Sequence, residues 1–142
     1  RCTSRGLGDV YKRQQMSDKQ EINTPNAPAA IGPYSQAIRT GSLLFCSGQI
    51  PLDPITMEIV SDDVGEQAHQ VFLNLSALAE AAGSSLDAAV KLTIFLTSLD
   101  DFAVVNDIMS KYFSLPFPAR ATIEVSALPK GAQVEVEAIL AL

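Results

Sequence analysis

The last quarter of the chain, Pro116 to Ala141, reads PFPARATIEVSALPKGAQVEVEAILA, and it limits the fold more than any other stretch. It contains two segments in which apolar and polar residues alternate, separated by Pro129-Lys130-Gly131. Strand side chains alternate between the two faces of a sheet with period two. Ala121, Ile123 and Val125 therefore share one face of the first segment, and Arg120, Thr122, Glu124 and Ser126 share the other. In the second segment Val134, Val136 and Ala138 make the apolar face, opposite Glu135 and Glu137. The pattern reads as a hairpin with one apolar and one charged face. Two readings fit that charged face: a solvated outer surface, or a binding site for a small acid anchored by Arg120.

Arginine usage bears on the choice. From Met16 onward the only arginines are Arg39 and Arg120, and Arg120 follows the rigid apolar segment Pro116-Phe117-Pro118. A guanidinium is a planar fork that grips a carboxylate through two parallel hydrogen bonds, which an ammonium cannot do. Arg120 is thus a candidate carboxylate clamp.

The first fifteen residues, RCTSRGLGDVYKRQQ, differ in character from the rest: they hold Arg1, Arg5, Lys12 and Arg13 against one acid, Asp9, and show neither helical nor strand periodicity. We expect residues 1–15 to be a non-native or disordered leader and residues 16–142 to form a single domain, a length that supports one hydrophobic core. From Met16 onward fifteen acidic residues face six basic ones, a net charge of −9 with His69 neutral. That balance argues against nucleic-acid backbones and anionic membranes as partners. No apolar run approaches the roughly 18 residues of a membrane span. Cys46 is the only cysteine after residue 15, which fits a reducing, cytoplasmic setting without a disulfide framework. With one histidine and one cysteine in residues 16–142, a metal site would need carboxylates almost alone and none is expected, and a Cys-His or Ser-His pair would have to use His69.

The remaining segments follow from periodicity. Asn23 to Pro33 is an irregular Pro/Ala/Asn arm, Ser35 to Thr40 a short strand, Gly41-Ser42 a turn, and Leu43 to Gln49 a second strand. Asp62-Asp63 begin a helix, with acids at the positive end of its dipole. Val64, Ala68, Val71, Leu75, Leu78 and Ala82 form its buried stripe, and Gly83 ends it. Val90 to Leu99 is a strand with Leu92, Ile94 and Leu96 on one face. Asp100-Asp101 begin a second helix whose apolar side carries Phe102, Val105, Ile108, Met109, Tyr112 and Phe113. The order implies an α+β sandwich, a mixed β-sheet with two helices packed on one face. Its other face mixes Phe95, Ile139 and Ala141 with threonines and carboxylates. Such a surface meets another subunit, and a homo-oligomer with sheet faces turned inward is expected. If the final turn pairs residues near Ser126 with those near Gln133, Arg120 lies opposite Ile139 and Glu135 lies about 13 Å further along the sheet at about 3.3 Å per residue. The two cannot then touch one small substrate within a chain, and Glu135 of one subunit is expected to approach Arg120 of the next.

From Asn26 to Ala141 the chain resembles the reactive-intermediate deaminases, the RidA or YjgF-like proteins. The resemblance rests on Asn26-Ala27-Pro28-Ala29-Ala30-Ile31-Gly32-Pro33-Tyr34-Ser35-Gln36-Ala37, Ser47-Gly48-Gln49-Ile50-Pro51, Phe102 to Asn106, Phe117-Pro118-Ala119-Arg120, and Leu128-Pro129-Lys130-Gly131 leading to Glu135 and Glu137. Each piece is commonplace alone; in this order and spacing they are specific. The resemblance implies a chorismate-mutase-like fold and a homotrimer with its sites between subunits. It implies cofactor-free hydrolysis of enamine and imine acids such as 2-aminoacrylate and 2-iminopropionate to 2-keto acids and ammonia. It places the carboxylate-binding arginine on Arg120, the water-handling carboxylate on Glu135, and the other substrate-binding residues on Tyr34, Ser47, Gly48 and Asn106. Thr122 stands where well-known members carry cysteine, so thiol chemistry is ruled out there. The link from the second helix to Phe117 is shorter than in some members, which reshapes one wall. Some relatives are described as ribonucleases or translation inhibitors; the charge of residues 16–142 argues against that as the main role. A non-catalytic binder of keto or amino acids is a third reading, and Glu135 separates it from an enzyme.

Overall fold

Alternating burial runs through the C-terminal strand and organises the rest of the molecule. The computed structural model describes residues 18–142; the expected leader, residues 1–15, lies outside them. Six strands, β1 (Gln20–Ile22), β2 (Ala37–Thr40), β3 (Leu43–Gln49), β4 (Ala89–Leu96), β5 (Ala119–Glu124) and β6 (Val134–Ala141), form one sheet in the order β1-β2-β3-β6-β4-β5. All pairs are antiparallel except β4 with β5. The helices α1 (Val64–Ala81) and α2 (Phe102–Ser110) cover one face.

Local chemistry explains the boundaries of α1. The Asp63 carboxylate accepts a hydrogen bond from Glu66 N at 3.0 Å and caps the first turn. At the other end Gly83 takes a left-handed φ of 80°. Ser84 N donates to Ala79 O and Gly83 N to Glu80 O, each at 2.9 Å, so two carbonyls left over by the helix are satisfied. The stripe Val71, Phe72, Leu75 and Leu78 is fully buried against Leu92, Ile94 and Leu96 of β4 and Val134, Val136 and Leu140 of β6. Burying each such side chain contributes about 1.5–3 kcal/mol. Val105 and Met109 of α2 extend the same core.

Several expectations are corrected. β5 and β6 do not form a hairpin. β5 runs parallel to β4, and β6 lies between β3 and β4. The register is therefore not Arg120 opposite Ile139. Arg120 is level with Leu92, whose partner on β6 is Ala138. All three belong to the helix-covered face, because Leu92 and Ala138 are core residues. Glu135 is level with Phe95, whose partner on β5 is Ile123, and that row belongs to the helix-free face. Arg120 and Glu135 therefore project from opposite faces of the sheet. The alternation expected for β5 holds, but Arg120 and Thr122 face α2 while Ala121 and Ile123 lie on the uncovered side. The first strand of the sheet, Gln20–Ile22, is additional; it is short and polar and leaves no periodic signal. The expected strand at Ser35 begins two residues later, at Ala37.

Two buried amides fix the loops around this frame. Gln36 Oε1 accepts from Thr24 N at 2.8 Å, and its Nε2 donates to Ala27 O at 3.1 Å and Pro28 O at 2.8 Å. This pins the Pro/Ala/Asn arm against β2. On α1, Asn74 Nδ2 donates to Leu52 O at 3.0 Å and its Oδ1 accepts from Gln70 Nε2 at 2.9 Å, which holds the loop after β3. Asn74→Ala leaves a buried carbonyl without its donor. Urea denaturation is expected to show a loss of about 1–3 kcal/mol; an unchanged midpoint would mean that the loop is held by other contacts.

Candidate active site

Two hollows contain the residues singled out from the sequence, and they lie on opposite faces. The first is a cleft of about 290 Å³ lined by Pro28, Ala29, Ile31, Tyr34, Gly48, Ile50, Leu52, Met57, Lys130 and Glu135, among others. The pairing of β3 with β6 slips between Cys46 and Gln49. Ser47 and Gly48 together face Glu137 there, a β-bulge that interrupts the ladder beside Glu135. Glycine in this bulge leaves room for Glu135: a methyl group at Gly48 would overlap its carboxylate and force it to swing away. The absent side chain is what lets Glu135 lie down against the backbone of β3.

Glu135 is half-buried. Burial raises its pKa above the ordinary 4.5, and the negative charge of Glu137 adds to the effect. A carboxyl group shifted upward in this way is a better base than an ordinary carboxylate and can return the proton it takes. Tyr34 lines the same cleft and leaves about half of its surface, 52%, exposed. The Ser47 hydroxyl donates to Ser35 O at 2.6 Å; it borders a neighbouring depression with Lys91, Thr93 and Glu137 rather than the Glu135 cleft.

The second hollow, about 360 Å³, is lined by Asn106, Met109, Ser110, Phe117, Pro118 and Arg120. Arg120 Nη1 donates to Asn106 Oδ1 at 2.5 Å and lies 3.6 Å from Met109 Sδ. The guanidinium carbon sits 5.1 Å from the centre of the Phe102 ring, a cation–π arrangement. Thr122 packs beside it among Ile94, Phe102 and Val105, and its buried hydroxyl has no partner among the described residues. Arg120 is thus oriented by an amide, a sulfur and an aromatic ring. Among the described residues it has no carboxylate partner, so its charge is left for a ligand.

The sequence-derived site therefore divides in two. Tyr34, Gly48 and Glu135 come together, Asn106, Arg120 and Thr122 come together, and Ser47 stands aside. Three contributors were not singled out from sequence: Phe102 as the support of Arg120, and Met57 and Lys130 as walls of the cleft. Phe102 reads as one more apolar helix residue, Lys130 reads only as part of the Pro/Gly turn, and nothing in the sequence marks Met57. Cys46 is not a nucleophile, since burial pushes its thiol up to about 12. Among the described residues no three His, Cys, Asp or Glu side chains gather in a way that would hold a metal ion, and no helix is long and apolar enough to cross a membrane.

Comparison with known proteins identifies the family of the chain. The family described as Endoribonuclease L-PSP matches residues 24–142. A RutC family protein of Sinorhizobium fredii is 54% identical over 123 residues, covering 87% of this chain and 98% of the relative. A 2-iminobutanoate/2-iminopropanoate deaminase of Dermatophagoides farinae is 44% identical over 127 residues, covering 89% and 99%. The crystal structure of YyfA from Yersinia pestis, a member of the conserved Rid protein family described as of unknown function, superposes with a TM-score of 0.85 at 50% identity, covering 87% and 99%. The chain belongs to the YjgF/RidA family, also called Endoribonuclease L-PSP. Its sheet and two helices are the chorismate-mutase-like fold of that family.

The raised pKa of Glu135 makes a prediction about stability. A carboxyl whose pKa is higher in the folded than in the unfolded state favours folding while protonated, and that contribution is lost as pH rises through the folded value. Wild-type protein should therefore lose stability relative to Glu135→Gln as pH climbs upward from 4.5, with the difference levelling off once Glu135 is ionised. Thermal melts of the two proteins across this range check it; a constant difference would place the carboxylate in an ordinary solvated environment.

Proposed function

We propose that the protein hydrolyses enamine and imine acids, such as 2-aminoacrylate and 2-iminopropionate, to 2-keto acids and ammonia without a cofactor. We further propose that it does so as a cytoplasmic homotrimer, with each site shared between two subunits. The observation that carries the reading is Arg120, a guanidinium oriented by Asn106 and Phe102 with no carboxylate partner among the described residues. The names of relatives such as the mite deaminase support the same reaction. The uncovered sheet face supports assembly, since Phe45 and Ile123 keep 42% and 45% of their surface exposed there in a single chain.

In this reading Arg120 binds the substrate carboxylate, and Glu135 of the neighbouring subunit handles protons. An enamine first takes a proton at its terminal carbon, loses one from nitrogen and becomes the imine. Glu135 then accepts a proton from water as the oxygen attacks the imine carbon. It returns that proton to nitrogen, giving a carbinolamine; as the carbon–nitrogen bond then breaks, the hydroxyl proton passes through Glu135 to nitrogen, the carbonyl forms and ammonia leaves. Asn106 and Thr122 position the arginine side of the site; Tyr34, Ser47 and Gly48 shape the glutamate side. Spontaneous imine hydrolysis is already fairly easy, so modest positioning supplies what is needed.

The family's description as an endoribonuclease carries a second reading. The charge of −9 on residues 16–142 weighs against it. Salt titration of RNA cleavage by nuclease-free protein separates the two. For a non-catalytic binder, Glu135→Gln would leave binding unchanged, whereas in an enzyme it spares binding and abolishes turnover.

Arg120→Lys keeps the charge and loses the fork. A lost charge-assisted hydrogen bond costs roughly 1.5–3 kcal/mol, on the order of ten- to a hundredfold in rate when the contact is made in the transition state. Timed keto-acid release, with 2-aminoacrylate generated from serine by a dehydratase, measures the loss; near-normal turnover would remove the clamp role.

Complementation tests the shared site. Arg120→Ala and Glu135→Gln proteins should each be nearly inactive alone. Mixed in equal amounts and reassembled, they should recover about a quarter of wild-type activity, because half of the subunits bring each intact residue to any cyclic interface. Mixed assemblies verified by mass spectrometry but without recovered activity would mean that Arg120 and Glu135 do not act together on one substrate across an interface.

A further inference from the structure

Among the described residues two that are not glycine have a left-handed backbone, Met57 with φ 61° and Lys130 with φ 58°. Both line the Glu135 cleft, and they are joined directly: Lys130 Nζ donates to Met57 O at 2.9 Å. A side chain makes this conformation unfavourable, whereas glycine adopts it freely. The hydrogen bonds of the turn do not explain the methionine. The Asp53 carboxylate accepts from Ile55 N at 2.8 Å and Thr56 N at 3.0 Å. Met57 N donates to Asp53 O at 2.8 Å, and Asp53 N donates to Glu58 O at 3.0 Å. Glycine at position 57 would preserve every one of these bonds, and the acceptor for Lys130 as well. What methionine adds is its side chain, and Met57 is among the residues that line the cleft with Ile50 and Leu52.

We propose that Met57 determines specificity: its side chain closes the apolar end of the Glu135 cleft and limits the size of the substrate's side chain, while Lys130 holds the turn in place. The inference rests on the reading of this cleft as the site of imine-acid hydrolysis. The reacting carbon lies within reach of Glu135, and the substrate carboxylate is directed to a guanidinium from another copy. The remaining substituent on that carbon is the side chain, and the apolar wall is what it meets. An unbranched thioether with three rotatable bonds fills an irregular gap without fixing its shape. It therefore trims the cleft and favours small side chains over bulky ones.

The test uses imino acids released in situ from alanine, leucine and phenylalanine by an amino-acid oxidase, with kcat/KM read as acceleration over spontaneous hydrolysis. In Met57→Gly and Met57→Ala the ratio of leucine-derived to alanine-derived kcat/KM should rise by about tenfold or more, the scale set by removing several methylene-sized groups from a pocket. Met57→Gly should also melt no lower than wild type, because it relieves the left-handed backbone; Met57→Ala keeps that backbone and isolates the loss of the side chain. Lys130→Met, which frees the turn but not the side chain, should raise the ratio less. An unchanged ratio in an active Met57 variant overturns the inference, and a lower melting point with it assigns the side chain to packing of the turn. A wild-type protein without activity on any imino acid overturns the hydrolase reading and this inference together, whereas active wild type with an unchanged ratio overturns this inference alone.

Discussion

β6 is hydrogen-bonded along both edges, to β3 and to β4, and its alternation assigns chemistry to the two faces of the whole sheet. Val134, Val136, Ala138 and Leu140 are all buried toward the helices. Moving the strand by one residue would drive Glu135 and Glu137 into that core, an unaffordable exchange of apolar contacts for unpaired charge. The register of the sheet is thus locked by hydrophobic burial. Glu135 then has to lie on the uncovered face, and the bulge at Ser47-Gly48 gives its carboxylate room there. Arg120 is fixed by a different element: α2 supplies Phe102, Asn106 and Met109 around it, on the other side of the same sheet.

Much of this was legible in the sequence, for identifiable reasons. The stripe Val71, Leu75, Leu78 and the alternation Leu92, Ile94, Leu96 each follow one period strictly, and both match the core. Asp63 and Gly83 carry end signals strong enough to set the limits of α1. The position of β5 was not legible. Two alternating segments around a Pro/Gly turn look like a hairpin, but residues 125–133 separate β5 from β6, more than the two to five residues that tight hairpins use. That length was the available clue. A parallel partner lies far away in sequence and leaves no local trace. Which face Arg120 takes depended on the same pairing, so one error in partner became an error in face.

The candidate site was legible by residue type and not by arrangement. Scarce arginine, a glycine in a strand and a carboxylate on an alternating strand can be found in a string of letters. The support of Arg120 by Phe102 cannot, because an aromatic residue on an amphipathic helix reads as core. The left-handed backbone at Met57 cannot either, because nothing about methionine announces it.

The separation of Arg120 from Glu135 also has an electrostatic consequence. Placed within contact distance on one face, the two would pair. The guanidinium would pull the Glu135 pKa down, leaving a weak base and a clamp already occupied. On opposite faces each keeps what the proposed reaction asks of it. Glu135 is raised by burial and by Glu137, and Arg120 is oriented by neutral partners that leave its charge unspent. In the proposed assembly the two meet only across an interface, with the substrate carboxylate between the guanidinium and the glutamate. The bound acid then satisfies Arg120 before Glu135 can, so substrate binding and preservation of the base are served by the same geometry. Water excluded by the neighbouring subunit would strengthen both effects by lowering the local dielectric.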